Sequence, residues 1–192
     1  MTDRPPDAFR VMAKPTGARC NLRCDYCLFL EKDRLYPGGD FRMTDEVMDA
    51  YIAQTVDVQR VPQVTIAWQG GEPTLMGLDF FRRAGAVEAA HVPRGVAVER
   101  TIQTNGVLLD DEWAAFLAEN HYLVGLSIDG PRELHDAFWH DKGGGPVFDR
   151  VLVVAQRRLA ALGGALLAEG TAGASFGDVE LLTDRRDAPA TA

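Results

Sequence analysis

Apolar and polar positions along this chain alternate between short β-rich runs and longer helical stretches. Ala8 to Ala13 alternates as a short strand and is broken by Lys14-Pro15-Thr16-Gly17. Pro37-Gly38-Gly39 is a turn. Thr44 then precedes Asp45 and Glu46, an N-cap with acid in the first helical turn. The helix behind it is expected to place Val47, Tyr51 and Val58 near one face. Gln63 to Trp68 is β-rich and stops at Gly70-Gly71-Glu72-Pro73. Asp79 to Ala90 reads as helix, and Gly95 to Gln103 as a strand that ends at Thr104-Asn105-Gly106. Asp110 caps a helix running to about Glu119. Tyr122 to Ile128 is a further strand, closed by Asp129-Gly130-Pro131. A short helix is expected over Pro131 to Phe138, and a longer one from Val147 to about Leu162.

Strand, loop and helix thus recur four times, which predicts βαβ units, a parallel sheet and right-handed crossovers. In such α/β folds ligands gather at the carboxyl ends of the strands, whether the sheet is open or closed. The segment after the first strand, the Gly-Gly-Glu-Pro loop, Gln103-Thr104-Asn105-Gly106 and Ser127-Ile128-Asp129-Gly130 would all fall on that one rim.

Bulk composition narrows the class. A chain of 192 residues suits a single domain. Its net charge of −8, with no Lys/Arg block, argues against nucleic acid as the main partner. No stretch has the length and apolarity of a membrane span. The first ten residues are polar, hold two adjacent prolines and do not read as a signal peptide. Thiols without an export signal point to the cytoplasm.

The chemistry is concentrated in Cys20-Asn21-Leu22-Arg23-Cys24-Asp25-Tyr26-Cys27, which holds all 3 cysteines of the chain. An odd count leaves no complete disulfide pairing, and three close thiolates suit a soft metal centre. A four-iron cube normally takes four Cys ligands, so three would leave one iron open to a small molecule. Zinc is the competing reading; it wants a fourth ligand, and the nearest histidine in sequence, His91, is distant. A redox C-x2-C of Cys24 and Cys27 would leave Cys20 without a role. His121, His135 and His140 show no ligand spacing and read as surface or packing residues. Trp68 and Trp113 read as core.

The cysteine triplet after a first strand, with Gly70-Gly71-Glu72-Pro73 after a second, resembles the radical S-adenosylmethionine (SAM) superfamily. Longer stretches are similar to the anaerobic sulfatase-maturating, formylglycine-generating enzymes: Leu35 to Gly38, Ala67 to Gly77, Gln103 to Gly106 and Leu126 to Pro131. The resemblance covers about residues 8 to 150. It implies a partial (β/α) barrel of the radical SAM type with about four βα units. It implies a [4Fe-4S] cluster held by Cys20, Cys24 and Cys27, with SAM chelating the open iron and reductively cleaved to a 5′-deoxyadenosyl radical. Gly70 and Gly71 would let the backbone approach SAM, and Glu72 would offer its carboxylate to an ammonium. Pro73 would fix that loop. Tyr26 would lie against adenine or anchor its own loop. Gln69 and Ser127 are implied as SAM contacts, and Gln103 as a substrate contact. Asn105 before Gly106, and Asp129 before Gly130, are also good turn dipeptides.

The same resemblance implies a sulfatase polypeptide as substrate, a Cys or Ser side chain of it becoming Cα-formylglycine, and a reducing donor such as flavodoxin or ferredoxin. The family's carboxylate base and auxiliary cysteines have no counterpart in this sequence, so the catalytic base is unassigned. The likeness fades near Val151. Residues 1–162 are therefore read as an incomplete radical SAM core, and 163–192 as a divergent Ala/Gly-rich tail, weakly ordered and strandless. A truncated or frame-shifted chain is the expected origin, and with it an unpaired edge on the last parallel strand. A cluster- or SAM-binding fragment without turnover, and another peptide-modifying enzyme of the superfamily, are the alternatives.

Overall fold

The structure, a computed structural model, describes residues 8–32, 35, 39, 41–154, 164–166 and 179–183. The strands are β1 (Met12–Ala13), β2 (Gln63–Trp68), β3 (Ala97–Thr104), β4 (Tyr122–Leu126), β5 (Gly164–Leu166) and β6 (Val179–Thr183). The helices are α1 (Leu28–Lys32), α2 (Asp45–Asp57), α3 (Leu78–His91), α4 (Asp111–Glu119), α5 (Arg132–Phe138) and α6 (Phe148–Val153); a 3₁₀ turn spans Pro73–Met76. Strands β1 to β4 lie side by side in chain order and parallel, the α/β arrangement that the alternation predicts.

The crossover helices all pack on one face of this open sheet. Met48, Ile52 and Val56 of α2, Phe80, Phe81 and Ala84 of α3, and Trp113, Phe116 and Leu117 of α4 share one core with Val64, Ile66, Trp68, Ile102 and Val124 of the strands. Helices on a single face are the pattern of a barrel wall; a doubly wound sheet is covered on both. Trp68 is the centre of that core, with Tyr51, Phe80 and Phe81 standing edge-on at 5.3–5.8 Å.

Local signals explain most boundaries. Thr44 Oγ1 accepts from Val47 N and Asp110 accepts from Trp113 N, so both expected N-caps form. The buried face of α2 differs from the expected one. Val47 and Val58 are exposed, while Met48, Ile52, Thr55 and Val56 are buried. Both sets have helical spacing; contact with the sheet selects the second. Strand β1 is shorter than Ala8 to Ala13, because only Met12 and Ala13 meet β2 and Val11 and Phe9 stay exposed.

The tail also differs. Strand β6 pairs antiparallel with β4, and β5 antiparallel with β6, so the edge of β4 is covered where an unpaired edge is expected. Val-Glu-Leu-Leu-Thr has good strand propensity, outweighed in the sequence by its Ala, Gly and Asp surroundings. The longer helix from Val147 is described as α6; its continuation to Leu162 lies outside the described residues.

One buried ion pair ties α3 to β3. Arg100 Nε donates to Glu88 Oε2 at 2.7 Å, and Arg100 Nη1 donates to Asn120 O at 3.2 Å. Burial pushes the Glu88 carboxyl up, and the guanidinium opposes that push. Arg100→Ala leaves the buried Glu88 without its charge partner. It is expected to destabilise the fold by about 3–5 kcal/mol, read as a lowered denaturant midpoint.

Candidate cofactor site at the carboxyl ends of the strands

The cysteine loop and the Gly-Gly-Glu-Pro loop form one interlocked structure. The first loop turns back on itself, with Gly17 N donating to Lys14 O at 2.9 Å and Arg19 N to Thr16 O at 3.0 Å. The end of β1 and this loop then receive the second loop: Gln69 N donates to Ala13 O, Gly71 N to Gly17 O and Glu72 N to Arg19 O, each at 2.9 Å. On its other flank the cysteine loop is pinned by Arg23 N to His140 O at 2.8 Å and Asp25 N to Phe138 O at 2.9 Å.

This contact gives the two glycines a packing role of their own. A Cβ on Gly71 would overlap the Arg19 carbonyl oxygen and lie 2.6 Å from the Arg19 carbonyl carbon. Gly70 has φ +113, and a Cβ there would lie 3.0 Å from Lys14 Cβ. Close approach to the segment leading into the cysteines by itself demands glycine here. Gly71→Ala meets backbone that cannot yield as a side chain does. It is expected to force the two loops apart at a cost of about 1–3 kcal/mol or more, measurable as a lowered unfolding midpoint with the strands intact by circular dichroism.

Glu72 is fully buried, and its carboxylate accepts from four protein donors. Oε1 accepts from Thr74 N at 3.0 Å, Thr74 Oγ1 at 2.6 Å and Thr104 Oγ1 at 2.8 Å; Oε2 accepts from Asn105 N at 2.8 Å. Burial pushes this carboxyl up, and the donors from Thr74, Asn105 and Thr104 oppose the push. Glu72 thus caps the 3₁₀ turn and binds the loop after β2 to the loop after β3. Pro73, buried, begins that turn.

Asn105, a turn residue by sequence, reaches the thiols. Its Nδ2 donates to Asn21 Oδ1 at 2.8 Å and lies 3.5 Å from Cys20 Sγ. The three thiols are free; Cys24 is buried and Cys20 and Cys27 are half-buried. Burial, then the like charges of Cys20 and Cys27, push the Cys24 thiol up to about 12. Burial likewise raises Cys20. Mutually repelling, desolvated thiols are a donor set that a cationic centre would stabilise as thiolates. Among the described residues no three His, Cys, Asp or Glu side chains converge tightly enough for one metal ion. A single zinc needs all its thiolates about 2.3 Å from one point. A cube would take each thiolate on a different iron.

Tyr26 anchors its loop by its hydroxyl, which donates to Asp129 Oδ2. Trp139 Nε1 donates to the same oxygen at 2.7 Å and lies 2.5 Å from the Tyr26 hydroxyl. Tyr26 remains 46% exposed, with Phe138 edge-on to its ring at 6.0 Å. Asp129 N in turn donates to His135 Nδ1 at 3.2 Å. His135 is buried and stacks on Trp139 at 4.7 Å, a packing residue that also steadies Asp129. His121 is exposed and holds φ 54 just after α4. His140 lies half-buried, 3.8 Å from Asp25. Trp68 and Trp113 are core residues, as read.

Gln103 and Ser127 are brought together: Gln103 Nε2 donates to Ser127 Oγ at 2.9 Å. Gly125 makes this pairing fit, since a Cβ there would overlap Gln103 Oε1 and lie 2.9 Å from Gln103 Cδ. Gln103 is flexible, so Gly125→Ala is expected to keep the fold, with stability changed by about 1 kcal/mol, while turning Gln103 off Ser127. Thermal unfolding and SAM titration on the same sample separate the two effects. Gln69 sits half-buried just past the end of β2. Asp129, Trp139 and Asn105 are the site residues that sequence reading missed. The Asn-Gly and Asp-Gly dipeptides marked two of those positions, and a turn explained them locally.

Residues 15–157 match the sequence profile of the Radical SAM superfamily, and the chain belongs to that superfamily. Within it, the chain is 44% identical over 143 residues to the serine-type anaerobic sulfatase-maturating enzyme of Bacteroides thetaiotaomicron, covering 74% of this chain and 34% of that protein. It is 37% identical over 143 residues to the cysteine-type enzyme of Clostridium perfringens, covering 73% and 38%. A solved structure described as native anSMEcpe with bound AdoMet superposes with a TM-score of 0.67 at 37% identity, covering 74% of this chain and 38% of that one. The same protein with AdoMet and the Cp18Cys peptide gives 0.67 at 36%. The chain thus spans little more than a third of the length of these relatives.

Proposed function

We propose that Cys20, Cys24 and Cys27 hold a [4Fe-4S] cluster whose open iron receives SAM, within a radical SAM unit formed by residues 1–162. The carrying observation is the interlock: residues 13–19, which lead into the thiols, and the loop expected to face SAM share three backbone hydrogen bonds. Bound together, cluster and SAM supply reductive cleavage of the sulfonium bond and hydrogen abstraction, chemistry that belongs to the cofactors. The chain's own residues bind and orient. Tyr26, with Gln69 and Ser127, lies on the rim expected to take the nucleoside and methionine portions, and Gln103 beside Ser127 would face substrate. Glu72 positions the two loops from beneath.

The reaction we propose is that of the similar maturating enzymes, oxidation of a Cys or Ser side chain in a sulfatase polypeptide to Cα-formylglycine. A flavodoxin- or ferredoxin-like donor in the cytoplasm would supply the electron. No described helix is long and apolar enough to cross a membrane. The test is anaerobic reconstitution with iron, sulfide and reductant, followed by electron paramagnetic resonance with and without SAM. The expected result is a cluster signal that changes on adding SAM, and release of 5′-deoxyadenosine. Stoichiometric zinc without acid-labile sulfide would overturn the cluster reading. Deoxyadenosine without formylglycine on a sulfatase peptide would limit the chain to the cofactor half of the reaction.

A further inference from the structure

Asn105 is fixed in place by more than a turn needs. Its backbone N–H donates to the buried Glu72 Oε2 at 2.8 Å. Its side-chain Oδ1 accepts from Val107 N at 3.0 Å. That bond settles which way round the amide lies, because the flipped amide would set NH₂ against an N–H. The Nδ2 group is thereby directed at Asn21 Oδ1, 2.8 Å away, and Cys20 Sγ, 3.5 Å away. Leu22 N supplies a second donor to the same sulfur at 3.4 Å. Asn105 is 6% exposed, which leaves little access for water to replace its amide. Among the described residues, Cys20 is the one thiol of the three that receives a side-chain N–H.

We propose that Asn105 is a positioning residue that raises the reduction potential of the cluster through its N–H···S bond to Cys20; this rests on the cluster reading above. An added electron makes the ligand sulfurs more negative, so a donor aimed at one of them stabilises the reduced state more than the oxidised state. Glu72 holds the Asn105 backbone, and the loop expected to face SAM is in this way coupled to the electronics of the cluster. Removing the bond should lower the equilibrium constant for one-electron reduction about threefold to tenfold, which is about 30–60 mV to the negative side.

The test uses the full chain, reconstituted anaerobically, as wild type, Asn105→Ala and Asn105→Ser. Serine keeps an oxygen that can serve Val107 N but is too short to reach Cys20. Iron and sulfide are counted first, and the cluster is then titrated with reductant under electron paramagnetic resonance. Both variants are expected to carry a full cluster and to titrate at more negative potential. A full cluster with an unmoved potential in the serine variant overturns this inference alone. A wild type without iron and sulfide overturns the cluster reading and this inference with it. Should the alanine variant not fold, wild type labelled with ¹⁵N-asparagine carries the decision. Pulsed resonance is expected to show a nitrogen coupling that the serine variant lacks, and no such coupling in wild type overturns the proposal.

Discussion

Replacing Cys20, Cys24 and Cys27 together by alanine is expected to remove all bound iron and acid-labile sulfide while the strands and helices persist. The thiols lie in a small satellite cluster with Leu22, Trp139 and Val147, outside the main core of Trp68, Phe81 and their neighbours. Removing sulfur from the buried Cys24 therefore costs about 1 kcal/mol, which circular dichroism and thermal unfolding would register as a small shift. Iron analysis would register a complete loss. A pH dependence follows from the same groups. Burial holds the Cys24 thiol protonated up to about 12, so in the metal-free chain Cys24 itself is scarcely thiolate at neutral pH. Metal capture requires the deprotonated sulfur. Reconstitution should accordingly quicken as pH rises from 7 to 9, with the Cys24 thiolate increasing about tenfold per pH unit. Iron retention in the triple variant, or loading that slows with rising pH, would contradict this account.

The second large effect is expected at Glu72. Glu72→Ala strands four donors from Thr74, Thr104 and Asn105 in a fully buried pocket. Each unsatisfied buried donor costs about 1–3 kcal/mol, and loss of one partner from a buried charged network about 3–5 kcal/mol in all. For a chain of this size, each kcal/mol lowers the midpoint of thermal unfolding by about 2–4 °C, so a fall on the order of 10 °C is expected. Glu72→Gln keeps the shape but turns an amide NH₂ toward one of these donors, and an intermediate loss is expected. If both variants unfold like wild type yet fail to bind SAM, the carboxylate serves the ligand directly and the assignment of Glu72 to loop anchoring fails.

The distribution of these effects also explains which parts could be read in advance. Strand β2, the caps at Thr44 and Asp110, and the convergence of polar loops on one rim follow from local periodicity and turn chemistry, which act within a few residues. Glu72 illustrates the opposite case. Its type and place suggest a ligand, but Thr104 and Asn105 lie more than thirty residues away in sequence and only the packed sheet brings them to its oxygens. Asn105 and Asp129 share that difficulty, since an Asn-Gly or Asp-Gly step has a sufficient local explanation as a turn. The buried face of α2 was undetermined for another reason, because two apolar stripes compete and the sheet chooses Met48 and Ile52. For β6, pairing with β4 decides what composition could not.

The backbone ladder from residues 13–19 to residues 69–72 bears on any attempt to transplant the metal-binding octapeptide. Carried alone into a new scaffold, Cys20 to Cys27 would leave behind the amides of Gly71 and Glu72 that hold its approach, and would lose the shape it has here. The smallest portable unit is two segments far apart in the chain, with glycine kept at position 71 so that they can touch.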